Sequence, residues 1–188
     1  MARGGNDIEQ FVAADPEAGA VVPLEGQEAF TLSTLDLYRP GAELHVLGVE
    51  ALTSPNVQYV GAVNVWPRDS AKNALFTGPG FPAPEIKTHH PLDEIVPASE
   101  TDIPALPGIE RPPPLSVAVG FRLLSGDLGA VNGVRVTYTA DGKKAVETFR
   151  VALIVCTKSR FCEPSKGESD SEFNDRVLNQ FGLLPKKS

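Results

Sequence analysis

The sequence predicts an all-β protein: an antiparallel β-sandwich with a long proline-rich crossover and one short C-terminal α-helix. Three observations support this fold class. Apolar and polar residues alternate along short segments, an Asp-Gly pair joins the two clearest of them, and 17 glycines and 17 prolines among 188 residues leave little room for long helices. A hydrophobic content of 41% with 22% charged residues is typical of a folded domain.

The dipeptide Asp141-Gly142 marks a β-hairpin between residues 132–140 and 143–156. Asp-Gly between two alternating runs is a strong hairpin signal, because both turn residues must adopt positive φ. Such a turn places largely apolar pairs on one face and largely polar pairs on the other, as a sheet covering a core requires. The predicted pairs are Tyr138 with Ala145, Val136 with Glu147 and Val134 with Phe149 on the first face, and Thr139 with Lys144, Thr137 with Val146 and Arg135 with Thr148 on the second.

Residues 115–123 form a second clear strand, in which apolar residues alternate with Ser116, Ala118, Gly120 and Arg122. This period of two predicts a half-buried strand with one face towards the core. Earlier strand candidates are separated by turn signals at residues 39–41 and 54–56. They span residues 29–33, 35–38, 42–52 and 57–66.

These elements divide the chain into three parts. Residues 1–22 are small and polar and predict a flexible arm or linker. Residues 23–163 form the sandwich domain, and within it residues 76–114 are a crossover that contains ten of the 17 prolines. A crossover of this kind is either a stiff strap across one sheet or disordered, and its scattered apolar residues favour the strap.

Residues 164–188 form a tail with an amphipathic helix at about 170–182. Ser169 and Glu172 have the spacing of a capping box, and Phe173, Val177 and Phe181 follow at helical spacing. The helix is expected to dock on its own domain or, as an alternative, to bind a partner.

The chain has two cysteines, Cys156 and Cys162, which are close enough in sequence to form a disulfide. Two reduced thiols are the alternative. A disulfide persists in an oxidising compartment, so the pair favours an extracytoplasmic location over a cytoplasmic one. The first residues contain no signal-like apolar stretch, so an extracytoplasmic chain implies that Met1 begins a fragment whose leader or anchor has been removed.

The overall pattern resembles immunoglobulin-like domains, and the predicted fold is accordingly an immunoglobulin-like sandwich. Trp66 precedes both cysteines, however, so the Cys…Trp…Cys spacing of antibody domains is absent. The resemblance is therefore architectural and implies no function.

The charge and the hydropathy of the chain each disfavour one class of partner. A net charge of −7 disfavours nucleic acid, whose binding requires a basic surface. No run approaches the roughly 20 apolar residues that span a bilayer, so no direct membrane insertion is expected.

Motifs for catalysis, cofactors and metals are weak, and none is assigned. Gly78–Ala83 matches a dinucleotide fingerprint by letter only, because two prolines interrupt it. His89 and His90 are adjacent, and neighbours in an extended chain point to opposite sides, so a shared metal is disfavoured. A cysteine nucleophile with His45 or His89 as its base is possible in principle, but the sequence shows no such adjacency.

The predicted function is a non-enzymatic, extracytoplasmic binding or assembly module, tethered to a membrane or envelope in the native protein. Its partner is a protein or another copy of the chain. The alternatives are a ligand-binding protein or enzyme with a pocket under the proline-rich segment, and a structural subunit of a larger assembly. The candidate interaction surface comprises Phe81, His89, His90, Pro104, Pro107, Pro112, Pro113, Pro114, Phe173, Val177 and Phe181.

Overall fold

The computed structural model describes residues 19–37, 44–65, 76–84, 95–97, 102–103 and 115–184. Its strands are β1 (Gly19–Pro23), β2 (Ala29–Leu37), β3 (Leu44–Thr53), β4 (Val57–Val65), β5 (Phe76–Pro79), β6 (Ile95–Pro97), β7 (Asp102–Ile103), β8 (Leu115–Leu123), β9 (Leu128–Ala140) and β10 (Lys143–Cys156). A 3-10 helix at Ser159–Phe161 and an α-helix, α1 (Asp170–Gln180), follow them. The prediction of a β-rich chain with one short α-helix is confirmed for these residues.

The strands form two five-stranded sheets in which most neighbours are antiparallel. The first sheet has the order β1-β10-β9-β3-β7, and the second has the order β5-β2-β8-β4-β6. One pair departs from the antiparallel expectation, since β1 runs parallel to the end of β10, with Gly19 opposite Ala152. This strand begins inside the predicted arm of residues 1–22, so the domain starts earlier than the sequence indicated.

The predicted hairpin is confirmed in its turn and in its register. Asp141 and Gly142 have φ values of 49° and 73°, and all six predicted pairs between β9 and β10 are present. Glu147, the one carboxylate on the apolar face, accepts a hydrogen bond from the Tyr138 hydroxyl over 3.5 Å. Beyond this region an unpredicted register shift lies between Phe149 and Ala152.

The strand predicted at residues 115–123 is also confirmed, but its burial differs from the expectation. All residues from Val117 to Phe121 are buried, including Ala118 and Gly120 on the face predicted to be open. A Cβ atom on Gly120 would overlap the ring of Phe81, so this ring covers the outer face of the strand. Of the residues on this outer face whose side chains the structure describes, Ala118 and Gly120 are buried and Arg122 is exposed.

The main hydrophobic core takes side chains from both sheets. Phe30 and Phe121 of the second sheet stack with ring centroids 5.4 Å apart. The cluster comprises Val22, Leu24, Phe30, Leu32, Val46, Val57, Val117, Val119, Phe121, Leu123, Val131, Val134, Val136, Tyr138, Val151, Leu153 and Val155.

The proline-rich crossover supplies edge strands to both sheets. Its described parts place β5 and β6 on opposite edges of the second sheet and β7 on an edge of the first. The four edge strands are two to five residues long, and three of them end in a proline, at Pro23, Pro79 and Pro97. Short edges with proline cannot easily extend a ladder to another chain.

Helix α1 packs on the outer face of the first sheet. A second cluster joins Phe173 and Val177 of the helix to Ala130, Ala152 and Ile154 of β9 and β10. We call this part of the sheet, defined by Ala130, Ala152 and Ile154, the covered half.

Both ends of α1 are fixed by local hydrogen bonds. The predicted capping box is present, with Ser169 as the N-cap and Glu172 as its partner. At the other end Gly182 has φ 66°, as a helix-terminating glycine requires. The chain then returns to the sheet, where the Asn132 amide donates to the Leu183 carbonyl over 2.8 Å.

Candidate functional site

The predicted disulfide between Cys156 and Cys162 is present, with Cα atoms 5.8 Å apart. Cys156 is the buried last residue of β10, whereas Cys162 follows the 3-10 helix. The bond closes a short loop over residues 157–161, which stabilises the fold by about 2 kcal/mol on the chain-entropy account. The loop is therefore held against the end of the first sheet.

Hydrogen bonds join this loop to the turn that follows β1. The Ser159 backbone N–H donates to Glu25 Oε1 over 3.2 Å, and the Ser159 hydroxyl donates to the same oxygen. On the other side of the turn, the Leu24 N–H donates to the Cys156 carbonyl over 2.8 Å. Leu24 is buried in the core, so the turn is anchored from below as well as from the loop.

An open cleft of about 520 Å³ lies between the loop and the turn. Lys158 and Arg160 are both exposed at it, and the Arg160 guanidinium lies 4.7 Å from the centroid of the Phe161 ring. This cation–π contact restricts where the guanidinium can go. The residues that line the cleft come from two short segments: Glu25, Gly26, Gln27, Thr157, Lys158, Ser159 and Arg160.

The cleft is suited to binding an anionic group. Lys158 and Arg160 lie within one disulfide-closed loop, so little entropy is lost when both face the same ligand. A guanidinium and an ammonium together favour carboxylate, sulfate or phosphate. Glu25 contributes a negative charge to the same cleft, so its charged side chains sum to +1, and the Glu25 Oε1 accepts two hydrogen bonds from Ser159.

The first of the predicted surface residues, Phe81, contacts its own sheet. The Thr31 hydroxyl donates to the Gly80 carbonyl over 2.6 Å, which holds the chain after β5 against the second sheet. The Phe81 ring then lies over two glycines: a Cβ on Gly120 would overlap it, and a Cβ on Gly61 would approach it to 3.3 Å. At residues 80–81 the strap is therefore in direct contact with the sheet.

The predicted surface residues on α1 are also engaged within the domain. Phe173 and Val177 are 2% and 0% exposed, and Phe181 packs half-buried against the same cluster. These side chains make intramolecular contacts, and Phe181 is also partly exposed.

The remaining members of the predicted surface lie outside the described residues. They are His89, His90, Pro104, Pro107, Pro112, Pro113 and Pro114. His45 is described and lies half-buried on β3.

Comparison of the sequence with protein-family models and with curated proteins finds no match. In the part of the chain that the structure describes, no group of three or more His, Cys, Asp or Glu side chains is placed to hold a metal ion. Among the same residues, no helix is long and apolar enough to cross a bilayer.

The cleft was not predicted from the sequence. One signal was visible, because Lys158 and Arg160 lie between two cysteines that can close a loop. The other wall was not visible, because Glu25 is 134 positions from Ser159 and only the parallel pairing of β1 with β10 brings them together.

Proposed function

We propose that this protein is a non-enzymatic, extracytoplasmic binding or assembly module with an immunoglobulin-like β-sandwich fold. In the native protein it is tethered to a membrane or envelope, and it recognises a protein partner and no nucleic acid. The observation that best supports the proposal is the disulfide-closed loop. A disulfide persists in an oxidising compartment, and the same bond constrains the loop that carries the two cations of the cleft. Binding residues are often found on loops held by a rigid scaffold of this kind.

The contact that we propose is between the cleft and an anionic group on the partner, such as an aspartate, a glutamate or a C-terminal carboxylate. Lys158 and Arg160 supply the attraction, and the turn at Glu25–Gln27 supplies the opposite wall. A single carboxylate on such an exposed site is bound weakly, so further contacts around the cleft are needed for a stable complex.

The compartment is tested in the organism that makes the protein. Intact cells are treated with a membrane-impermeant reductant and then with an impermeant maleimide. We expect no labelling without the reductant, labelling of Cys162 after it, and labelling of the buried Cys156 only once the protein is also denatured. Two thiols that react without reduction, or no labelling until the cells are lysed, would overturn the extracytoplasmic assignment.

The cleft is tested by titrating the purified chain with acetate and with inorganic phosphate while recording amide NMR spectra. We expect shift changes concentrated at residues 157–160 and at Gly26. The K158A/R160A variant should abolish them. The matched control R122A/K143A removes the same charge from two exposed residues that do not line the cleft and should leave them unchanged. Shifts that are spread over all lysines, or that survive in K158A/R160A, would contradict the proposal.

A further inference from the structure

The outer face of the first sheet continues beyond the covered half as a second area, which α1 does not reach. We call it the open half, and it consists of residues 144–150 of β10, 135–139 of β9 and 45–50 of β3. Here the outward positions are exposed or half-buried, whereas the outward residues Ala130, Ala152 and Ile154 are 0%, 4% and 0% exposed.

Two large apolar side chains are exposed on the open half. Val146 is 53% exposed and Leu47 is 47% exposed. The register places Val146, Thr137 and Gly48 in one row across three strands. A Cβ on Gly48 would meet nothing within 4 Å, so open space lies over this end of the row. Exposed apolar side chains grouped on one face are a feature of surfaces that bind another protein.

The charges of the open half are opposite to those of the whole chain. Lys144 and Arg150 are exposed on it, and Arg135 lies 3.4 Å from Glu50, the carboxylate of this face. The chain carries a net charge of −7, so the positive charge of this face is opposite in sign to the net charge of the chain. Electrostatic complementarity therefore favours an acidic element on the partner.

The chain itself presents such an element, on the same side of the same sheet. Helix α1 and the residue before its cap carry Glu168, Asp170, Glu172 and Asp175. Helix α1 also carries the basic residue Arg176, whose Nε lies 2.7 Å from Glu168 Oε1. Helix α1 also stands above the sheet as a ridge, next to the lower open half.

We propose that the open half is a self-association surface on which α1 of a second copy docks. Ridge and open half lie side by side on one face, so a two-fold axis places each helix on the open half of the other copy. Such an interface is isologous and closes as a dimer. The short, proline-ended edges disfavour the other route to self-association, which is extension of the sheets.

The size of the surface predicts a weak dimer. Three strands over six residues cover roughly 300 Å², and the exposed side of an 11-residue helix covers roughly 200 Å². A two-fold dimer contains two contacts of a helix with an open half, which together bury roughly 1,000 Å², at the low end of specific interfaces. The expected dissociation constant is on the order of 10 μM to 1 mM.

This proposal rests on the assembly role in the proposed function and specifies that role as self-association. It does not depend on the cleft, because it uses a different surface. It is tested by sedimentation of the full chain with two charge-reversed variants. K144E/R150E makes the open half acidic like the helix. D175K/N179K makes the C-terminal half of the helix, which also carries Arg176, basic like the open half, and it leaves the capping box and the Glu168–Arg176 pair in place.

We expect the wild-type mass to rise towards twice the monomer mass of 20.0 kDa over the concentration range above. Each variant alone should associate at least about tenfold more weakly than the wild type, because like charges then face one another in the interface. An equimolar mixture should associate again, because each open half then faces a helix of opposite charge. Restored association also shows that both variants are folded.

The matched control K158E/R160E makes the same charge change in the cleft and should dimerise like the wild type. A wild type that stays monomeric to about 1 mM overturns the proposal. A mixture that stays monomeric, or a dimer that survives both reversals, overturns it too. None of these results bears on the thiol labelling or the anion titration, so failure of this proposal is distinguishable from failure of the proposed function.

Discussion

The covered and open halves of the first sheet belong to the same strands, yet they end in opposite environments. In β10 the outward residues of the open half are Lys144, Val146, Thr148 and Arg150, and those of the covered half are Ala152, Ile154 and Cys156. Apart from Glu147, the inner β10 residues of both halves are apolar and contribute to one core. The difference shows that the outer composition of a strand follows what packs on it, and that the change occurs near the register shift between Phe149 and Ala152.

The largest expected effect concerns α1, the helix that packs on the covered half. We predict that F173A lowers the free energy of unfolding by about 3–4 kcal/mol, because it leaves a cavity between α1 and the sheet. V146A in the open half should change it by less than about 0.5 kcal/mol, since Val146 is half exposed. Urea unfolding followed by circular dichroism measures both. Equal effects would show that the open half is covered in solution.

The second effect concerns the Cys156–Cys162 disulfide, which lies at the end of the covered half. We predict that the C156A/C162A variant loses about 2 kcal/mol of unfolding free energy, through the entropy gained by its unfolded chain. The open half ends instead in the Asp141-Gly142 turn, so reduction of the wild type should leave amide shifts at residues 136–146 unchanged. Loss of the hairpin signals on reduction would mean that the two ends are coupled.

The third effect concerns the start of α1. We predict that S169A costs about 1 kcal/mol, because the Ser169 hydroxyl accepts the Glu172 N–H as an N-cap. The matched control S171A lies two residues later on the exposed side of the helix and should be neutral, since alanine favours helix interiors. Thermal unfolding of both variants decides the point, and similar melting temperatures would remove the role assigned to the cap.

The smallest effect is a pH dependence at the same end of the helix. The Arg176 guanidinium and the Ser165 backbone N–H lower the pKa of Glu168 to about 2, from an ordinary value of 4.5. A lowered carboxyl pKa stabilises the fold above pH 4.5, and this contribution is lost as the pH falls from 4.5 towards 2. The contribution is small because the Arg176 side chain is 47% exposed.

Carboxyl NMR titration of Glu168 measures this pKa directly. In the R176Q variant we expect the titration midpoint to move from about 2 towards 4.5. The same titration of Glu172, whose pKa is lowered by the Ser169 N–H and hydroxyl, should change little in that variant. An unchanged Glu168 midpoint would show that the ion pair is absent in solution.

Much of the local structure was predictable from the sequence because it depends on neighbours in the chain. The hairpin register follows from two residues that tolerate positive φ, and the helix start follows from one serine and one glutamate three positions later. The burial of β8 was not predictable in the same way, since Ala118 and Gly120 are covered by a ring from another element.

The candidate site divides along the same line. The disulfide and the two cations of the cleft are contained in one short loop and were partly visible in the sequence. The opposite wall at Glu25 was not, because a parallel strand pair separated by more than 130 residues creates it. Pattern analysis detects periodicity within an element, but it does not identify the neighbours of a strand.

The sequence by itself determined the β-rich class, the hairpin, the capped helix and the cysteine pair, because propensity, turn geometry and short-loop closure act over a few residues. The tertiary structure alone decided the strand order of the two sheets, the use of the crossover as edge strands, and which half of the outer face lies under α1. Those choices depend on burying apolar surface between distant segments, and many segments of similar hydrophobicity compete for each place.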